Sequence, residues 1–168
     1  MLDIGAHTGT YSIALNKCFR EVHSFEPQRM TYYALSGSVA LSGITNIYCH
    51  NFGLGSESQV GEQSLKIVSV DGGGSGLHNT SGIIAEEKIK IKTLDSLDVG
   101  NIGFIKIDVE DNELQVLQGG VETLKRSGYP KIIFECNRKN DELFDFIKNM
   151  GYGIVPIRGY NNMFLAQK

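Results

Sequence analysis

MLDIGAHTGTYS, residues 1–12, frames the whole chain. An apolar stub, Met1 to Ile4, carries Asp3, and glycines follow at positions 5 and 9. A short strand, a tight turn and a helix form the opening unit of a sheet with parallel strands and helical crossovers. Thr10 to Phe19 suits that helix, with Tyr11, Leu15 and Cys18 along one face. The unit then repeats. Glu21 to Glu26 reads as a second strand, and Pro27, at a first helical position, opens a helix with Tyr32, Leu35 and Val39 on one face. Asn46 to His50 is a third strand. Between Phe52 and Asn79 the pattern loosens to one strand, Leu65 to Val70, and then the glycine-rich DGGGSG. Lys88 to Lys92 alternates Lys with Ile, as a half-exposed strand does.

Phe104 to Val109 is the next core strand, followed by Leu114, Leu117, Val121 and Leu124 at helical spacing, interrupted at Gly119 and Gly120. Lys131 to Glu135 is a strand. Asp141 to Met150 is a helix stopped by Gly151. Gly153 to Ile157 and Met163 to Ala166 flank RGYNN as a closing hairpin. The alternation predicts an α/β fold, a mostly parallel sheet with helices on both faces, in one domain spanning residues 1–168.

Composition narrows the class. Lys and Arg number 16 against 19 Asp and Glu, a net charge of −3, so no basic stripe suggests nucleic acid. Cys18, Cys49 and Cys136 are odd in number and share no C-x-x-C motif, so buried thiols in a reducing, cytoplasmic setting are expected. No signal peptide and no membrane span is expected.

Sheets of this kind bind ligands beyond the carboxyl ends of their strands. Asp3, Glu26, Asp108, Glu110 and Glu135 all fall there. In the Phe104 strand Ile105, Ile107 and Val109 share one face, and Lys106, Asp108 and Glu110 share the other. A central parallel strand should be apolar on both faces, and local rules break most often at functional sites. The alternative is that the strand ends near Ile107 and the acids cap the next helix.

A dinucleotide loop would read G-x-G-x-x-G, but here His7 occupies the middle position. Glu26 lies 23 residues after Asp3, where an acid accepts hydrogen bonds from ribose hydroxyls. A nucleoside cofactor without pyrophosphate therefore fits better than NAD, and S-adenosylmethionine is the common one.

At this point LDIGAHTGTYS, HSFEPQ, NIYCHNFGLG, TLDSL, FIKIDVEDNELQVLQGG, IIFECN and NMFLAQK, in order from Leu2 to Lys168, resemble the motifs of FkbM-type S-adenosylmethionine-dependent methyltransferases. The resemblance implies the Rossmann-like class I methyltransferase fold, a three-layer sandwich whose seven-stranded sheet has an antiparallel last strand. It also implies methyl transfer to a hydroxyl of a sugar, glycolipid or related metabolite. Asp3, Gly5, Ala6, His7 and Gly9 would hold the methionine end of the cofactor, Glu26 the ribose, and Asn51 would lie near the adenine. Asp108 and Glu110 would face the reacting centre, Asp108 also touching the cofactor. His50, ending the third strand, is a further candidate base or substrate contact, and His78 could swing in on a glycine-rich flap. No metal site is expected. The partners expected are a small-molecule or glycan acceptor and, over the N-terminal edge, a second copy of the chain.

The family's pattern is not followed everywhere. His7 stands where Asn is usual, and Asp111 replaces the usual Gly. The family's common N-terminal extension is expected to be lacking. Two competing readings are an NAD-dependent oxidoreductase and a non-catalytic, cofactor-binding remnant of the same fold.

Overall fold

The computed structural model describes residues 1–168. Strand β1 (Leu2–Ile4) lies between β2 (Val22–Phe25) and β7 (Phe104–Ile107), parallel to both. β3 (Ile47–His50) closes one side, and β8 (Lys131–Glu135) lies parallel to β7 on the other. The chain ends in β9 (Gly153–Pro156) and β10 (Met163–Gln167), and β10 inserts antiparallel between β8 and β9. The order is β3-β2-β1-β7-β8-β10-β9, seven strands with an antiparallel last one. The expected α/β sandwich and closing hairpin are both present.

The alternation within each strand decides what each face buries. Leu2, Ile4, Ile105, Ile107, Ile132 and Phe134 form the largest apolar cluster with residues of α3 (Glu113–Gln118), α4 (Val121–Arg126) and α5 (Asp141–Asn149). All six strand residues are 1% exposed or less, and each such side chain stabilises the fold by roughly 1.5–3 kcal/mol. The opposite face is polar at its centre. The register sets Asp3 beside Ser24 on one side and Lys106 on the other. All three are buried under α1 (Thr10–Leu15), whose Ser12 points inward.

Several elements differ from expectation. α1 is shorter, followed by a 3-10 turn at Asn16–Cys18, and its buried residue is Ser12; Tyr11 and Cys18 are exposed. The apolar spacing is outweighed by Asp3, which requires a donor from the helix above it. The second helix, α2 (Arg29–Leu41), begins two residues after Pro27, because Gln28 is held in extended backbone as its N-cap. Thr31 rather than Tyr32 joins Leu35 and Val39 inside. The loosened region is a second sheet of three strands, β4 (Gly53–Leu54), β5 (Gly61–Ile67) and β6 (Ala85–Lys92), in the order β4-β6-β5. β6 is half-exposed as its Lys–Ile alternation requires, and it starts three residues earlier than expected.

β7 stops at Ile107, so the acids that follow lie beyond the sheet. They do not cap α3, whose N-cap Asn112 makes no side-chain bond to the helix; instead Glu113 accepts the N–H of Val109 at 3.1 Å. Between them Glu110 (φ 52°) and Asp111 (φ 69°) are both left-handed. An L-residue there costs roughly 1–2 kcal/mol, and Asp is among the few that tolerate it. Asp111→Gly should therefore raise stability by roughly 0.5–1 kcal/mol, while the β-branched Asp111→Val should lower it by roughly 1–2 kcal/mol. Urea unfolding of the two variants checks both signs; a loss of stability in the glycine variant would mean that the exposed Asp111–Arg138 pair outweighs the strain.

Candidate active site

A cavity of about 400 Å³ opens beyond the carboxyl ends of β1, β2 and β7. Its walls are the loop after β1, the start of α2, the end of β7 and the inner side of the small sheet. The segment Gly72–Gly76 lies over it. Gly5, Ala6, His7, Glu26, Asp108 and Glu110 all line this space. The expected cofactor loop and the expected reacting acids therefore meet at one site.

The loop is built from the backbone outward. The N–H groups of Gly5 and Ala6 both donate to the carbonyl of Phe25 at 3.0 Å. Gly5 has φ +75°, and a Cβ at this position would overlap the carbonyl oxygen of Asp108. Gly9 serves as N-cap of α1 and lies behind the cavity wall. His7 donates its N–H to Glu26 Oε2 at 3.0 Å, and its Nε2 lies 2.8 Å from the carbonyl of Asp71. This histidine, departing from the family's Asn, thus ties the cofactor loop to the glycine-rich segment.

Glu26 is 7% exposed, and its other oxygen accepts the N–H of Gln28 at 2.9 Å. Burial raises its pKa above the ordinary carboxylate value, against the two backbone bonds that lower it. Each carboxylate oxygen keeps a lone pair beyond these bonds. Asn51 is placed differently from the adenine contact expected of it: its amide donates to the carbonyls of Glu26 (3.0 Å) and Pro27 (3.1 Å), fixing the turn from outside the cavity.

Asp3 also lies behind the wall and is wholly buried. Its Oδ2 accepts from the N–H (3.1 Å) and the hydroxyl (2.5 Å) of Ser12. Its Oδ1 has no hydrogen-bond partner and lies 3.5 Å from the ammonium of Lys106. Burial pushes the Asp3 pKa up, and Lys106 pulls it down. Lys106 is 3% exposed, donates to the carbonyl of Gly5 at 2.6 Å and reaches Asp108 Oδ2 at 3.4 Å. One buried cation therefore joins the loop after β1 to the acid after β7. Strand alternation puts Lys106 on the acids' face but assigns it no role. A signal for one exists in the residue itself, because a lysine at the centre of a buried strand needs an anion beside it.

Asp108, Glu110 and Glu135 each bring one oxygen within 4.8 Å of the others, so the charge of each bears on its neighbours. Burial, then the charges of Asp108 and Asp111, raise the Glu110 pKa. Burial and the adjoining Asp108 push Glu135 up to about 7. Its two oxygens accept amide N–H groups from Asn162 (2.6 Å) and Asn137 (3.0 Å). Glu113, beneath them, is pushed to about 7 by burial. His50 lies elsewhere. Its ring stacks on Phe25 (4.7 Å) and His23 (5.3 Å), bonds to His23 at 3.1 Å, and is held neutral near neutrality, its pKa lowered to about 4 chiefly by burial. His50 does not line the cavity, and neither does His78.

The Methyltransferase FkbM domain matches residues 3–154. The chain belongs to the FkbM methyltransferase family. S-adenosylmethionine is the methyl donor of such a domain. Among solved structures, methyltransferase FkbM from Methylobacillus flagellatus superposes with a TM-score of 0.68 at 20% identity, over 99% of this chain and 43% of that one. This chain thus spans less than half of the length of that FkbM protein. Sp1610 of Streptococcus pneumoniae, a candidate tRNA (m1A22) methyltransferase in complex with S-adenosyl-L-methionine, gives 0.59 at 14% identity, over 98% and 62%. Precorrin-6y C5,15-methyltransferase of Geobacter metallireducens gives 0.59 at 12%, over 100% and 80%. These likenesses are of fold. No curated protein matches the chain. No helix is long and apolar enough to cross a membrane.

The residues present suit this cofactor. The glycine at position 5 lets the loop lie against Asp108 with no side chain between them, Glu26 offers free lone pairs to hydroxyls, and Leu54, Leu65, Leu77, Ile89 and Ile91 supply an apolar wall for a base.

Proposed function

We propose that this chain is an O-methyltransferase domain that acts on a hydroxyl of a sugar, glycolipid or related metabolite. The observation that carries the cofactor reading is Glu26. It is buried, anchored at both oxygens by backbone N–H groups, and yet borders the cavity. Such a carboxylate is pre-organised to accept both ribose hydroxyls. Bound S-adenosylmethionine supplies a methyl group already activated on a sulfonium. The chain must align an acceptor, exclude water and receive the acceptor's proton. The glycine-rich segment over the cavity supports the second task, and the acids after β7, Asp108 and Glu110, support the third. A neutral hydroxyl suits an anionic rim, whereas a phosphate-rich nucleic acid would be repelled by it.

Charged hydrogen bonds are worth roughly 1.5–3 kcal/mol each. Glu26→Ala should weaken S-adenosylmethionine binding by about tenfold or more. Calorimetric titration of the variant, with an unchanged far-ultraviolet spectrum as proof of folding, measures it. Wild-type affinity in that variant would place the ribose elsewhere and remove the basis of the reading.

A further inference from the structure

Building on that cofactor reading, we propose that the side-chain amide of Gln28 hydrogen-bonds the edge of the adenine and makes the site selective for that base, a contact from which Asn51 is turned away.

The apolar wall described above offers a base burial but no hydrogen bond. A base stripped of water needs partners for its amino group and ring nitrogens, since an unpaired polar group is costly to bury. Most polar side chains on the cavity are engaged or stand on other walls. Asn112 is bonded to Gln59 at 2.9 Å, His7 to the Asp71 carbonyl, and Lys106 to Gly5 and Asp108. Thr10 and Tyr11 stand at the start of α1, and Glu110 follows β7. Gln28 is different. It lines the cavity and is only 6% exposed, yet its amide makes no hydrogen bond within the chain. It holds the N-cap position of α2, where a short side-chain oxygen would accept a helix N–H, and its longer side chain does not cap. Buried amides are normally satisfied, so a free one on a cavity wall points to a ligand.

Its place in the fold says which ligand group it meets. Its backbone N–H is fixed on Glu26 Oε1 at 2.9 Å, so the amide stands two residues from the carboxylate read as the ribose acceptor. The next residue, Arg29, donates its N–H to Glu87 of β6 at 2.9 Å, which brings the start of α2 against the strand that carries Ile89 and Ile91. On a third side lies the glycine-rich segment: a Cβ on Gly72 would sit 2.5 Å from Gln28 Oε1, so the segment passes the amide without a side chain. The amide thus stands between the ribose carboxylate, the apolar wall and the cover. A primary amide offers two donors and an acceptor without charge. Adenine sets a donor, its 6-amino group, beside a ring-nitrogen acceptor, and Gln meets such an edge with two bonds.

The probes are S-adenosylhomocysteine and its analogue with an unsubstituted purine, the 6-amino group replaced by hydrogen. Adenine has a ring nitrogen on either side of that group, so its removal breaks a bond whichever edge Gln28 meets. Calorimetric titration of the wild-type chain should find the analogue bound roughly fivefold more weakly, the worth of one neutral hydrogen bond. Gln28→Met keeps the length of the side chain and removes the amide, and Gln28→Leu removes it with a different shape. Each variant should bind S-adenosylhomocysteine about tenfold more weakly than the wild type, and should bind the two ligands equally. Weaker binding of both ligands with the wild-type preference retained would make Gln28 only a seat for the glycine-rich segment, and overturns the proposal. Equal binding of the two ligands by the wild type does so as well, while leaving the cofactor reading intact. A wild-type chain that fails to bind S-adenosylhomocysteine overturns both.

Discussion

Lys106→Met should cost about 3–5 kcal/mol of folding stability, the range for removing one partner of a buried ion pair. Against a typical total of roughly 5–15 kcal/mol, that is enough to unfold a good fraction of the chain on mild warming. The cost arises in what is left behind. Asp3 is wholly buried, its Oδ1 has no hydrogen bond, and the ammonium 3.5 Å away is the cation that offsets it. The Gly5 carbonyl and Asp108 lose the same partner. Burial is then no longer opposed by the lysine, and it raises the proton affinity of Asp3 in the folded state. A folded chain that binds more protons than the unfolded one loses stability as pH rises. The deficit should therefore be largest at pH 8 and shrink toward pH 5. The double variant Asp3→Asn, Lys106→Met should recover most of it, since replacing both charges leaves no ion unpaired. Urea unfolding at the two pH values separates this account from simple loss of packing, which would cost the same at both and would not be rescued.

Much of this frame is legible in the residues. Alternating strand and helix patterns, with acids at the strand ends, place the cavity and most of its wall, because a parallel sheet presents its carboxyl ends together. What pattern alone cannot supply is which ends are neighbours. Glu135 closes its strand as visibly as Asp108 does, but their contact depends on β8 lying beside β7. Lys106 reads as a polar residue on a strand face. Its burial follows from Asp3 and Gly5, about a hundred residues earlier, coming within its reach. Asn51 and His50 end a strand at the right level, but β3 is the sheet's edge, and both turn to local work there: one bonds the β2–α2 turn, the other joins an aromatic stack. In the small sheet, Leu65 to Val70 and Lys88 to Lys92 read as strands, but the first half of β5, Gly61 to Ser64, carries no apolar residue and escapes a core-seeking reading.

Gly5→Ala should be at least as damaging to the site, for a reason of geometry alone. The backbone at Gly5 is left-handed, which costs an alanine roughly 1–2 kcal/mol. The greater part of the damage is steric. The new methyl would overlap the carbonyl oxygen of Asp108, and Val109 Cγ1 would lie 3.2 Å away. Neither side can yield cheaply. Gly5 and Ala6 are bonded to Phe25, and Asp108 is bonded through its N–H to Ile4 at 3.0 Å. Relief requires the ends of β1 and β7 to part, which moves Asp108 away from the cavity and from Lys106. The expected cost is roughly 3 kcal/mol or more, with cofactor binding weakened by more than about tenfold even in the folded fraction. Gly43→Ala provides the comparison. Gly43 is also left-handed, at φ +64°, but nothing lies within 4 Å of its missing Cβ. That variant should lose only about 1 kcal/mol and bind the cofactor as the wild type does. The difference between the two isolates the contact of loop and strand from backbone strain. Equal losses of stability, with binding preserved in both, would show that the loop after β1 is not held against Asp108 as described.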